Sequence, residues 1–393
     1  MRPRVLLAWI WAVMATHAMA QSAPTDTDLR DPEGFLRASP GRDVVLPRDH
    51  VSHPETRTEW WYLTGPLEGP DGEQFGFQAT WFRRALVREQ PAGRSPLAVR
   101  DVLLFHGVVI DVATGESSFH EQASRAYGPW AHASTERLDV AVFGDRLVDP
   151  VGDGRAAELV MDTGDARLEL ELELEAATPL FHGALPGLSI KGLEEGQASW
   201  YYTLPDIPVR GWLTRPGQER IQVTGRAWMD HEYGSSQLGP AQEGWDWFST
   251  ELDDGTHLML YEMRLEGGDK DVTSSGTVRA PEATALHLTA DDFSIEPTGS
   301  WTSDRSGIRY PSGWTLTVPS EELVLDVQPV VPDQELATPG TTSVTYWEGL
   351  CRFRGTRAGV AVEGEGYVEL VGYGDPIADR FLAGQEGAQT PQQ

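Results

Sequence analysis

Among its 393 residues the sequence has no asparagine, two lysines (Lys191 and Lys270) and one cysteine, Cys351. Without asparagine there is no N-glycosylation sequon. Without a second cysteine there is no intrachain disulfide, so the fold must be held by its core. Cys351 lies far from the N-terminus, which excludes a lipid on a signal-peptide cysteine. Two lysines leave little scope for Schiff-base chemistry. Positive charge is scarce overall: 31 basic residues face 60 acidic ones, for a net charge of −29. Such a surface repels phosphate backbones and anionic head groups, which argues against nucleic acid and polybasic membrane docking. Metalloprotease H-E-x-x-H, the G-x-S-x-G elbow, the P-loop and C-x-x-C are all missing.

Long apolar runs are missing too. Arg2 and Arg4 precede the apolar stretch Val5 to Ala15, and Ala18-Met19-Ala20 offers small residues for signal peptidase. This run is shorter than the roughly 18 apolar residues of a membrane span. Residues 1–20 are therefore expected to be a cleavable signal peptide, removed after Ala20, with the mature chain periplasmic or secreted and without an integral membrane span. At 40% hydrophobic residues the chain can bury a large core, and its length suggests roughly two domains.

What is present is alternation. Leu168, Leu170, Leu172 and Leu174 alternate with Glu169, Glu171, Glu173 and Glu175, a period of two that predicts one buried and one solvated strand face. Similar short runs over 59–64, 75–82, 102–110, 138–143, 221–229, 258–264, 323–327 and 360–371 are separated by Gly, Pro and Asp. No helical period persists over three turns. The expected class is all-β, in antiparallel barrels or sandwiches. Residues 21–50 read as a polar leader draped over the first unit, 51–235 and 236–375 as the two domains, and 376–393 as a disordered tail.

Three clusters stand out: His53 to Tyr62; Trp228-Met229-Asp230-His231-Glu232-Tyr233-Gly234 followed by Gly244-Trp245-Asp246-Trp247-Phe248; and Tyr346-Trp347-Glu348-Gly349 with Gly364 to Tyr373. Large aromatics beside acids, histidine or arginine suit a pocket that is apolar in bulk with a few polar groups. Candidate ligand-binding residues are Trp60, Trp61, Trp228, Trp245, Asp246, Trp247, Trp347 and Tyr367. Structural readings compete. Strand aromatics usually pack in cores, Arg57 and Glu59 could be a buried pair closing a barrel, and a histidine beside an aspartate is often only a hydrogen-bonded pair. The glycines around Glu365 suit a bend or a close backbone approach.

From His53 to Tyr373 these clusters, in this order, resemble the AttH and carotenoid 1,2-hydratase (hydroxyneurosporene synthase) family of lipocalin-like proteins. The resemblance implies two tandem lipocalin-like antiparallel β-barrel domains. It leaves two functions open. One is an exported protein that binds an apolar lipid, isoprenoid or polyene, with an ABC-transporter permease of the lipoprotein-release type as partner. The other is a hydratase or pericyclic cyclase acting on a polyene without cofactor or metal. Hydration needs an acid for the alkene, aromatic faces for the carbocation and a base for water. The candidates are His231, Asp230 and Tyr233, with Tyr261 and Glu262 as the nearest match to a later Tyr and Asp of the hydratases. Tyr233 stands where the hydratases carry tryptophan, and this exchange, with export, ranks binding first. Within a strand Asp230 and Glu232 point one way, His231 and Tyr233 the other, unless Gly234 bends the chain. The same alternation disfavours a metal site built from 230–232 alone.

Overall fold

The computed structural model describes residues 29–89, 98–236, 239 and 241–374. The expected signal peptide and the tail from residue 376 lie outside them. The architecture is almost all β, with 56% of residues in strands and 4% in helix, arranged as a nearly closed barrel sheet and a half-barrel sheet. Among the described residues the helices are four three-residue 3-10 turns, and none is long and apolar enough to cross a membrane.

The first sheet has 13 strands. An antiparallel meander runs through Thr58–Glu68, Gln74–Ala85, Asp101–Asp111 and Ser117–Arg125, and its first strand pairs with Ile221–Ser236, the last strand of this half. Ile221–Ser236 in turn pairs with Ala198–Thr214, which continues through Arg167–Leu172 and Ala157–Asp162 to the short strands over 131–148. The sheet curls until its two ends meet through side chains: Ser118 and Thr163 hydroxyls are 2.5 Å apart, and the Gln122 amide donates to Asp145. Inside lies an apolar core that includes Trp61, Phe77, Trp81, Phe105 and Leu159, with Leu168, Leu170 and Leu172 buried as their alternation requires. Glu169, Glu171 and Glu173 face outward and take Arg210 of the neighbouring strand and Arg220 of the loop that follows it. Residues 29–50 pack against this barrel through Leu36, Ala38 and Val44.

The second sheet has ten strands, with Gln242–Leu252, His257–Leu265, Thr345–Arg357 and Val360–Val371 at its centre. Its own core includes Phe248, Trp314, Trp347 and Val368. Gly366 answers the glycine question: a Cβ there would lie 1.9 Å from the Ser249 carbonyl oxygen, so close backbone approach demands glycine.

The two sheets meet through the faces opposite to their own cores. Tyr62, Tyr201 and Trp228 of the first pack with Trp247, Met259, Tyr261, Met263, Leu350 and Tyr367 of the second. His106 is a fully satisfied bridge in this layer, with its two nitrogens 3.0 Å from the Tyr346 hydroxyl and 2.7 Å from that of Thr341.

Candidate functional site

Strand Ile221–Ser236 forms a wall with two different sides. Its register sets Trp228 opposite Thr64, Asp230 opposite Tyr62 and Glu232 opposite Trp60 on one neighbour, and Asp230 opposite Thr203 and Glu232 opposite Tyr201 on the other. Because alternate residues share a face, Trp228, Asp230 and Glu232 look toward the second sheet, while Met229, His231 and Tyr233 look into the first barrel.

On the barrel side, Glu59 is fully buried and completely engaged. It accepts from Arg83 Nε at 2.8 Å, Ser52 Oγ at 2.8 Å, His53 Nδ1 at 2.8 Å and His231 Nε2 at 3.0 Å. Burial pushes its carboxyl upward, but the Arg83 guanidinium and the two histidines hold it well below the usual range. With Nε2 donating to Glu59, His231 Nδ1 accepts from the Tyr202 hydroxyl at 3.1 Å. The Tyr202 oxygen then accepts from His50 Nδ1 at 2.6 Å. His231 also stacks on Trp61 with ring centroids 4.8 Å apart. Burial lowers its basicity, and both ring nitrogens are spoken for. Tyr233 stacks at 3.5 Å on His53. Glu59, His231 and Tyr202 thus satisfy one another in a structural network. The expected Arg57–Glu59 pair is replaced by Arg83–Glu59, because Arg57 turns outward to Asp31 at 2.6 Å.

The side facing the second sheet is chemically different. Asp230 is 4% exposed. It accepts from the Tyr201 hydroxyl at 2.5 Å, from Trp228 Nε1 at 2.8 Å and from the Thr203 hydroxyl. Trp247 Nε1 donates to the Tyr201 oxygen at 3.2 Å, and Tyr62 and Trp228 set their rings edge-on to Trp247 at 5.4 and 6.3 Å. Burial pushes the Asp230 carboxyl up to about 7 against these hydrogen bonds. Behind it, Thr203 contacts His182 Nε2 at 2.7 Å, and His182 Nδ1 contacts Thr277 of the second sheet at 2.8 Å.

Three more carboxyls enter the same layer. Glu348 and Glu369 are cross-strand neighbours on the second sheet. Burial pushes Glu369 up to about 7 against its hydrogen bond from Trp245 Nε1, and Glu348 well above the carboxylate range, the latter also because Glu369 stands beside it. Glu232 pairs with Lys191 at 3.4 Å, and the Lys191 ammonium lies 4.1 Å from the Tyr261 ring centroid and 4.9 Å from that of Tyr201. The Tyr261 hydroxyl donates to the Ile190 carbonyl at 3.0 Å. The layer thus combines aromatic walls with three carboxyls, Asp230, Glu348 and Glu369, that burial disposes to retain protons near neutrality.

A cleft of about 650 Å³ opens between the two sheets. Charged residues such as Arg226, Glu251, Arg354 and Glu363 rim it, and Trp228 and Tyr367 of the aromatic layer are among its walls. Two groups among the described residues bring three metal-ligand atoms within 4.8 Å of one another: His53, Glu59 and His231, and Asp206, Glu251 and His257 at the cleft. Each already holds arginine. Arg83 neutralises Glu59, Arg226 pairs with Asp206 and Arg279 donates to His257 Nδ1, so like-charge repulsion opposes a cation in either place.

The candidates from sequence divide among three environments. Trp60, Trp228, Asp230, Trp245, Trp247, Tyr261 and Tyr367 meet in the layer between the sheets. His231, Tyr233 and Trp61 belong to the barrel interior. Trp347 packs in the second core, with Nε1 donating to the Pro332 carbonyl at 2.8 Å. Asp246 and Glu262 lie on that same side of their strands, bound to Arg264 at 2.9 Å and Lys270 at 3.8 Å. His231 and Asp230 are therefore separated by the sheet itself and form no acid–base pair, and Tyr261 and Glu262 are split the same way. Sequence reasoning missed Tyr62, Lys191, Tyr201, Glu348 and Glu369. Tyr62, Glu348 and Glu369 stood inside the noted clusters, and the scarcity of lysine was the one signal for Lys191. Nothing in the sequence distinguished Tyr201.

Residues 37–373 match the family model described as AttH-like. A crystal structure of an AttH from Nitrosomonas europaea is 32% identical, with a TM-score of 0.76 over 86% of this chain and 99% of that one. Kievitone hydratase from Nectria haematococca shares the fold at 18% identity, with a TM-score of 0.66 over 88% of this chain and 98% of its own. Dehydratase asqC of Emericella nidulans is 20% identical over 280 residues, covering 68% of this chain and 76% of that protein.

Proposed function

The chain belongs to the AttH-like family, and from that premise we propose that it is a hydro-lyase, adding water to or removing it from a carbon–carbon double bond of an apolar isoprenoid or polyene in the layer between the two sheets. The relatives named for hydratase and dehydratase chemistry support this reading over a pure carrier. The observation that carries it is Asp230, a buried carboxyl raised to about 7 and enclosed by Tyr62, Trp228 and Trp247.

A neutral alkene is a weak base, so its protonation needs an acid held out of water, and the cation formed needs π faces within reach. Asp230 is such an acid. The Tyr201, Thr203 and Trp228 donors stabilise the carboxylate left after proton transfer, in the sense of a prearranged electrostatic site. The Trp228, Trp247 and Tyr62 rings face the cation, water then adds to it, and the surplus proton of the added water restores the Asp230 acid. The overall reaction is redox-neutral. His231 takes no part, because Glu59 and Tyr202 occupy both its nitrogens.

The test is incubation of the purified protein with myrcene and squalene in ¹⁸O-labelled water, with mass spectrometry of the products, and the reverse dehydration of linalool. A labelled tertiary alcohol is expected, and Asp230→Asn should slow its formation by about 10²- to 10⁴-fold with the fold retained. An Asp230→Asn rate equal to wild type, or the absence of any conversion in either direction, would overturn the reading. The competing carrier reading rests on the cleft of about 650 Å³. It expects an unaltered acyl or isoprenoid species to copurify, an ABC-transporter permease to be recovered with the protein, and neither to depend on Asp230. Export by residues 1–20 is part of the proposal; N-terminal sequencing of the mature protein should begin at Gln21.

A further inference from the structure

Two buried carboxyls share one face of strand Ile221–Ser236, and their surroundings treat them oppositely. Asp230 has neutral partners, the Tyr201 and Thr203 hydroxyls and Trp228 Nε1. Glu232, two positions on, has a charged one, the Lys191 ammonium at 3.4 Å. The two residues are buried alike, at 4% and 5% exposure. Lys191 is one of two lysines in the chain, and the fold builds it in. Its carbonyl accepts from Gln242 Nε2 at 2.8 Å and from the Thr273 hydroxyl at 3.2 Å, and the Tyr201 and Tyr261 rings flank its ammonium. Burial opposes that charge, yet Glu232 foremost holds the ammonium above its ordinary range. Side chains from alternate strand positions start roughly 7 Å apart, on the scale that lets a water stand between a base and the reacting carbon. The row also has a direction. Trp228, on the same face two positions before Asp230, is a wall of the cleft, so a substrate entering there meets Asp230 before Glu232.

Resting on the hydro-lyase reading, we propose that Glu232 is the base that takes the proton of the added water, and that Lys191 is the positioning residue that keeps Glu232 a carboxylate in this buried layer. Paired carboxyls whose environments differ in this way divide into an acid and a base. The step balances. Asp230 gives its proton to one alkene carbon, and the π pair forms the new C–H bond. The water oxygen bonds to the cationic carbon, and the proton it releases passes to Glu232. From Glu232 that proton returns to Asp230, so the net change is alkene plus water to alcohol. Besides Lys191, the groups facing Glu232 are Trp60 and Tyr201, its register partners on either side, Asp230 on its own strand and Glu369 of the second sheet. Lys191 is the cation among them, and its removal would leave Glu232 beside two other carboxyls.

The experiment measures labelled-alcohol formation and its kcat/KM profile against pH, per folded molecule, for Glu232→Gln, Lys191→Met, Lys191→Arg and Asp230→Asn in the full chain. The wild type should give a bell, with a basic limb near 7 where Asp230 loses its proton and an acidic limb where Glu232 gains one. Glu232→Gln should slow the reaction by about 10²-fold, remove the acidic limb and leave the basic limb in place. Lys191→Met should move the acidic limb to higher pH, because a buried carboxylate without its counter-ion takes a proton more readily. Lys191→Arg keeps the charge and should hold that limb where it is. A purely structural ion pair would lower stability and move neither limb. Should Glu232→Gln fail to fold, the comparison of Lys191→Met with Lys191→Arg decides. An acidic limb unmoved in Glu232→Gln or in Lys191→Met, while Asp230→Asn is slowed, overturns this inference alone. An Asp230→Asn rate equal to wild type overturns the hydro-lyase reading instead.

Discussion

In the His231→Ala variant the barrel interior loses a ring that donates to Glu59, accepts from Tyr202 and stacks on Trp61. Glu59 keeps Arg83, Ser52 and His53, so its charge stays compensated. The missing charge-assisted hydrogen bond contributes about 1.5–3 kcal/mol. The void left by the ring and the lost stacking add roughly 2–3 kcal/mol, for a total of about 5 kcal/mol. In a unit of this size each kcal/mol moves the midpoint by roughly 2–4 °C, which sets the expected fall in Tm at about 10–20 °C. The assay is thermal and urea unfolding, together with turnover per folded molecule on the same preparation. Stability should drop while turnover on the labelled-water assay stays within a few-fold of wild type. A variant with an unchanged unfolding midpoint and abolished turnover would refute the assignment of His231 to the barrel interior and restore it as a catalyst.

Other expectations follow from the same geometry. Arg83→Met removes the guanidinium from buried Glu59 and should cost about 3–5 kcal/mol, read as a shift in urea midpoint; a shift below about 1 kcal/mol would contradict the buried-pair reading. Asp230 ionises with difficulty in the folded state, since burial raises it to about 7. Between the ordinary carboxyl range and about 7 the unfolded chain has lost this proton while the folded one keeps it, so the residue's contribution to stability falls as pH rises and is flat above. The wild-type minus Asp230→Asn difference in unfolding free energy should follow that slope; a difference independent of pH would rule it out. Trp347→Ala, in the second core, should cost about 3–5 kcal/mol without altering product identity, which mass spectrometry of the labelled alcohol checks.

Much of the fold was legible because a period of two is written directly into strands such as Leu168 to Leu172, where each leucine is buried and each glutamate wet. The extent of each barrel was harder. Closure depends on contacts such as Gln122 with Asp145, and the second sheet stops at a half-barrel. The candidate site was half legible for a physical reason. Neighbours in sequence, such as Asp230 and His231, are the residues a strand sends to opposite faces, while the cross-strand partners of Asp230 are Tyr201 and Thr203, brought by the neighbouring strand Ala198–Thr214. Alternation predicted the split. Which face met the second sheet depended on register, and register is set by pairings across the whole molecule.

Strand Ile221–Ser236 is thus a party wall whose two sides answer to different selective demands. Substitutions at 228, 230 and 232 retune what happens between the sheets, and those at 229, 231 and 233 retune how firmly the barrel holds, with little crosstalk. Point changes can explore either property independently. Deleting a single residue from this strand would exchange the tenants, delivering His231 and Tyr233 to the aromatic layer and Asp230 and Glu232 to an apolar interior. A lineage can therefore drift far in sequence along this wall while its length stays fixed.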